Sequence, residues 1–129
     1  MPTERLFLLI AAIFGGTAVA GGAFASHALR DQLSERLLTV FETGVRYQMY
    51  HALALLGVVL VLHRSETAST WLTAAGWAFI AGIVIFSGSL YVLSLAQVKI
   101  LGAITPLGGI ALMAGWGCLA IFAVTAPKL

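Results

Sequence analysis

The sequence predicts an all-α integral membrane protein, a four-transmembrane-helix bundle with a short interfacial amphipathic helix between helices 1 and 2. Three observations carry that prediction. The 129 residues are 60% hydrophobic and only 9% charged, with a mean hydropathy of +1.02, whereas soluble domains carry about 25% charged residues. The apolar residues arrive in runs long enough to cross a bilayer, which takes about 20 residues each. Once those runs are assigned no soluble domain remains, so residues 1–129 read as one transmembrane domain.

Helix 1 is expected over residues 6–26, where Leu6 to Ala25 is long and apolar enough to span. A signal peptide is the competing reading, because Ala18-Val19-Ala20 and Ala23-Phe24-Ala25 resemble small-residue cleavage sites. The run exceeds a usual signal core of about 7–15 residues, and its small residues have a use in packing. Ala12, Gly16 and Ala20 are spaced four apart, as are Ala18 and Gly22, and Gly21 and Ala25. Such spacing lets helix backbones approach closely in lipid. Ala78 with Gly82, and Ala111 with Gly115, offer similar surfaces on helices 3 and 4.

Next comes RDQLSERLLTVF, residues 30–41, in which Leu33, Leu37 and Phe41 recur every four residues with Leu38 beside them. Polar residues fill the other faces and Ser34 is placed to cap a helix from Glu35 onward. This predicts the interfacial helix, about residues 34–42, lying on the membrane surface and bending or continuing into the second span; the alternative is a solvated extension of that span. Helix 2 is expected over 43–63, because its purely apolar part, Ala52 to Leu62, is too short for roughly 30 Å of hydrocarbon. Helix 3 is expected over 71–96 and helix 4 over 100–124. Within helix 4, Thr105-Pro106 reads as a kink, since a start there would leave the preceding apolar run as buried coil with unpaired backbone groups.

The net charge of +2 comes from seven scattered basic residues, with no patch that would suit nucleic acid. Cys118 is the only cysteine, which leaves no intrachain disulfide or multi-cysteine metal site. The polar residues of the spans are more informative. Antiparallel connectivity puts His27, then Glu42, Arg46, Tyr47, Gln48 and His51, then Ser87, Ser89, Tyr91 and Ser94, then Thr105 into one half of the membrane. The other half is chiefly apolar, with Thr17 and Thr73 for contrast. Ionisable groups at such depths cost about 2.5–3.5 kcal/mol each on insertion scales and face the bundle interior or water. Glu42 and Arg46 form an i,i+4 pair in the favourable acid-first order, while His51 points about 140° away from Arg46 at 100° per residue. Read structurally, the pair neutralises itself near the headgroups and His51 bonds a serine or tyrosine of a neighbouring helix. Read functionally, the same groups form a binding site or proton relay, since histidine titrates near neutrality and arginine grips a phosphate or carboxylate.

Five segments also resemble a known family: GAFASHAL from Gly22, FETGVRYQMYHALAL from Phe41, FSGSLY from Phe86, ITPLGG from Ile104 and Ala114-Gly115-Trp116. In that order, over nearly the whole chain, they are similar to the domain of unknown function 423 family, small bacterial inner-membrane proteins related to the eukaryotic transmembrane protein 256. Ala25-Ser26 departs from the Gly-Ala expected before the histidine. The resemblance implies four membrane helices and carries no established activity with it. It also implies more basic C-terminal tails, which would put both termini in the cytoplasm; the basic residues of this chain, three on either side, do not choose.

These readings lead first to an uncharacterised membrane protein that binds a lipid, small ligand or partner subunit in the polar half of the bundle. The alternative is a small oligomeric channel or transporter. An enzyme ranks behind both, because no nucleophile and base motif is recognisable and Ser26 near His27 is only suggestive. No haem or metal is expected, as His27 and His51 lie at different depths and no ligand spacing is present. Expected partners are membrane lipids, a second copy of the chain or another membrane subunit, and not nucleic acid.

Overall fold

The computed structural model describes residues 1–65 and 69–126, and all of its regular structure there is helical. Four α-helices follow one another: α1 (Thr3–Phe24), α2 (Glu35–Arg64), α3 (Thr70–Ala96) and α4 (Leu101–Thr125). A single π-helical turn, Ala25–Leu29, extends α1. All four helices are long and apolar enough to cross a membrane.

The amphipathic stretch before the second span is not a separate surface helix. It is the start of α2, which runs for 30 residues without a break and is capped by Ser34, whose hydroxyl accepts the Leu37 N–H at 3.2 Å. The reason lies in the residues. No Pro or Gly interrupts Glu35–Thr43, and the apolar side of this stretch has a protein surface to cover. Phe41 is buried in a small cluster with Ala25 and Leu29 of the π-helical turn, joined by Leu33 and Leu38.

Neighbours in sequence are neighbours in space: α1 packs on α2, α2 on α3 and α3 on α4. The main core runs through the half of the bundle nearer the chain termini. Phe7 of α1, Leu55 and Val58 of α2, Leu72 and Phe79 of α3, and Leu112 and Phe122 of α4 meet there. Phe7 is fully buried, its ring seated against Gly76 and edge-on to Trp77 at 5.4 Å between centroids. This burial makes the first span a structural wall of the bundle.

In lipid, helices associate through close packing rather than through hydrophobic gain, and α3 and α4 are the tightest pair. A Cβ built on Gly108 would fall on the backbone of Phe86, and one on Gly82 would meet Leu112, its backbone nitrogen included. Pro106, in the second turn of α4, removes one helix N–H. The small-residue stripe of α1 behaves differently. Ala12, Gly16 and Ala20 are all exposed, and a Cβ on Gly16 would meet nothing within 4 Å. Four-residue spacing marks a smooth face without saying what the face touches, so this stripe corrects the expected use of Gly16 in helix packing.

Gly108→Leu is therefore expected to lower thermal stability in detergent by about 1–3 kcal/mol, the usual cost of overpacking, with Gly16→Leu leaving it unchanged. Equal losses at both positions would contradict this packing.

Candidate functional site

Gln48 is the polar centre of the bundle. It sits 15 residues before His63, about 22 Å along α2 at about 1.5 Å per residue, and it is buried. Its amide nitrogen donates to the Phe14 carbonyl and to the Thr17 hydroxyl of α1, both at 2.8 Å. Its amide oxygen accepts from the Tyr91 hydroxyl of α3 at 2.6 Å. A backbone carbonyl can only accept, so this geometry fixes which way the amide points. Thr17 passes its own proton to the Ile13 carbonyl at 2.7 Å. Every donor in the group is used, and one side chain ties three helices together.

His51, one turn further along α2, looks towards α4. Its Nδ1 lies 2.7 Å from the Tyr47 carbonyl and its Nε2 lies 3.1 Å from the indole nitrogen of Trp116. The carbonyl only accepts and the indole only donates. The imidazole is therefore neutral with its proton on Nδ1, and neither nitrogen can serve a ligand without giving up a bond. Phe79 and Tyr47 complete its surroundings.

The remaining predicted residues are distributed rather than gathered. Ser87 is buried and donates to the Gly44 carbonyl at 2.7 Å, joining α3 to α2. Ser89 and Thr105 share a 2.6 Å hydrogen bond between α3 and α4. Ser94 bonds back to the Tyr91 carbonyl within α3. Glu42 and Arg46 approach to 3.7 Å, with side chains 36% and 60% exposed, an arrangement worth about 0.3–0.5 kcal/mol at a water-exposed surface. Tyr47 is exposed, its ring stacked on His51 and tilted against Phe86 at 4.8 Å between centroids. His27 is exposed on the π-helical turn, and the adjacent Ser26 donates to the Gly22 carbonyl. Among the described residues no buried side-chain nitrogen or oxygen lacks a partner.

Three groups escaped the sequence reading: Thr17, the Phe14 carbonyl and Trp116. Thr17 was assigned to the apolar half, yet it bonds Gln48. It is the lone polar side chain between Leu6 and Ala25, and a lone hydroxyl in an apolar span points to an interhelical partner. Trp116 lies well inside α4, away from the membrane interfaces where Trp concentrates, which is a similar signal.

Above Gln48 the bundle opens. α1 and α3 touch at Phe7 and Gly76 and then separate, leaving a cleft of about 580 Å³. Its walls run from Ile13 to Phe24 on α1 and from Ile83 to Leu95 on α3, with Phe41 and Gln48 of α2 and Tyr91 of α3 along the base. No residue of α4 lines it, so among the described residues no helix covers the side opposite α2. The α1 wall covers 11 residue steps, about 16 Å at about 1.5 Å per step. A Cβ added to Gly88, in the α3 wall, would meet nothing within 4 Å.

The family described as protein of unknown function (DUF423) matches residues 21–109. The chain belongs to the DUF423 family. It is 45% identical over 125 residues to the UPF0382 membrane protein YwdK of Bacillus subtilis, covering 93% of this chain and 97% of that one. A UPF0382 membrane protein of Staphylococcus epidermidis is 46% identical over 117 residues, and SH2409 of Staphylococcus haemolyticus is 44% identical over the same length; each match covers 91% of this chain and 93% of the relative. No solved structure matches. This DUF423 protein is thus a membrane protein with four apolar helices, and the matched segment takes in the upper cleft and all of α2 and α3.

Interhelical hydrogen bonds in membranes average about 0.6 kcal/mol in double-mutant cycles, with a maximum near 1.7. A cycle of Gln48→Leu and Tyr91→Phe, measured by reversible unfolding in mixed micelles, is expected to give coupling within that range. Additive losses would remove the Gln48–Tyr91 bond as a stabilising contact.

Proposed function

We propose that this DUF423 protein binds a membrane lipid, one acyl chain lying in the cleft between α1 and α3. The observation that carries the reading is the length and closure of the cleft. About 16 Å of wall matches one leaflet of a hydrocarbon core about 30 Å thick. A second transmembrane helix would need the whole thickness, and the Phe7–Gly76 contact closes the groove halfway. The volume of about 580 Å³ falls within the roughly 300–1,000 Å³ of small-ligand sites, and the walls are apolar. Binding is favoured over conduction by the interior itself: the polar side chains bond one another, and the half nearer the termini is filled by Phe7, Leu55, Val58, Leu72 and Phe79.

The same reading takes the membrane to be the bacterial inner membrane and both termini to be cytoplasmic, so that the cleft would serve the outer leaflet. Lys99→Cys in a Cys118→Ala background is then expected to react with a membrane-impermeant maleimide added to spheroplasts. Labelling only after permeabilisation would reverse the orientation.

Cleft occupancy is tested by Gly88→Phe, which places a ring in open space without touching a backbone. The control is Gly117→Phe, at an exposed α4 position with equally open surroundings. Native mass spectrometry of protein purified in mild detergent is expected to show retained lipid falling several-fold in Gly88→Phe alone, with thermal stability preserved. Equal lipid retention in both variants would remove the acyl-chain reading.

A further inference from the structure

We infer that the bound lipid is an anionic glycerophospholipid, its phosphate held between Arg30 and Lys99 at the membrane border that follows the Phe24 and Leu95 end of the cleft. The inference rests on the acyl-chain reading and concerns the headgroup that reading leaves unspecified. A cation follows each wall of the cleft in the chain: Arg30 six residues beyond Phe24, and Lys99 four residues beyond Leu95. On α1 the wall stops at Phe24, and the π-helical turn buries Ala25 and Leu29 on the α2 side while leaving Ser26, His27 and then Arg30 exposed. On α3 the wall stops at Leu95; Gln97 adopts the left-handed conformation, with φ of 55°, and turns the chain so that Lys99 follows, exposed, before α4 begins. α1 and α3 run in the same direction, so both cations lie at the same membrane border, beyond the Phe24 and Leu95 end of the cleft.

The charge inventory at that border supports a net negative ligand. It carries Arg30, Arg36, Arg46 and Lys99 against Asp31, Glu35 and Glu42. Glu42 is committed to Arg46. That leaves Arg30, Arg36 and Lys99 against Asp31 and Glu35, none of them in an ion pair among the described residues. The surplus of one cation complements one negative charge. Phosphatidylglycerol brings a single net negative charge, whereas phosphatidylethanolamine carries an ammonium that cancels its phosphate. Arginine offers a planar fork for phosphate and lysine a point charge, and basic residues near a membrane surface attract anionic lipid by an amount equal to roughly a fivefold preference each.

The full chain, purified in mild detergent, is offered equal amounts of phosphatidylglycerol and phosphatidylethanolamine with identical chains, and the bound ratio is read by native mass spectrometry. The expected result is roughly a tenfold or greater preference for phosphatidylglycerol, at about fivefold per cation. In Arg30→Gln/Lys99→Gln the ratio should fall towards one while the total lipid bound is maintained. Arg5→Gln/Arg64→Gln, at the opposite border, should leave the ratio where it was. A ratio near one in the parent, with lipid still lost in Gly88→Phe, would overturn the anionic headgroup and spare the acyl-chain reading. A preference that survives Arg30→Gln/Lys99→Gln would overturn the assignment to these two residues. Retained lipid that is insensitive to Gly88→Phe would overturn the acyl-chain reading and this inference with it.

Discussion

The arrangement of the bundle depends on one amide. An unpaired polar group in hydrocarbon costs several kcal/mol, so Gln48 has to find partners for two donors and an acceptor where almost every neighbour is a hydrocarbon side chain. It finds them on two different helices: the Phe14 carbonyl and Thr17 on one side, Tyr91 on the other. Moving α1 along α2 by one turn would strand those donors, and rotating α3 would take the Tyr91 hydroxyl away from its acceptor. Register and rotation of three helices are thereby specified by a group that is itself expensive to bury.

The same constraint explains why the bundle holds an open cleft beside a dense core. α1 packs along α2, and it reaches α3 at Phe7, where an aromatic ring fills the space left by Gly76. α3 and α4, by contrast, are drawn together by glycines whose missing side chains admit the neighbouring backbone. Close approach of α3 to α4 on one side, and few contacts between α1 and α3 on the other, give an asymmetric molecule. Tyr91 contributes twice: its hydroxyl completes the Gln48 group, and its ring lies against Phe41 and Gly44. It forms part of the base of the cleft as well as part of the support beneath it.

Much of this was legible in the sequence, and the residues show why the rest was not. Apolar runs of membrane length identify spans whatever their neighbours, and Ser34 before Glu35 is a local capping signal that needs no tertiary knowledge. The types of the buried polar residues were equally plain. Their partners were not, because pairing depends on how each helix is rotated: Gln48 and His51 are three residues apart and bond to different helices. The partner of the amphipathic stretch from Leu33 to Phe41 was hidden for a related reason. Periodicity reveals an apolar face, and the same face suits a lipid surface or the underside of a π-helical turn. The stripe through Gly16 and the contact at Gly108 are alike in residue type, and only packing separates them.

The uncovered side of the cleft also determines how anything can reach it. Loops and helix ends shield most buried sites, so that a ligand must wait for a lid to move. Here the missing wall is the bilayer itself. A molecule already dissolved in one leaflet can slide in sideways and leave the same way, travelling in two dimensions and never meeting water. Under the proposed acyl-chain reading, occupancy would follow the local composition of that leaflet rather than any aqueous concentration.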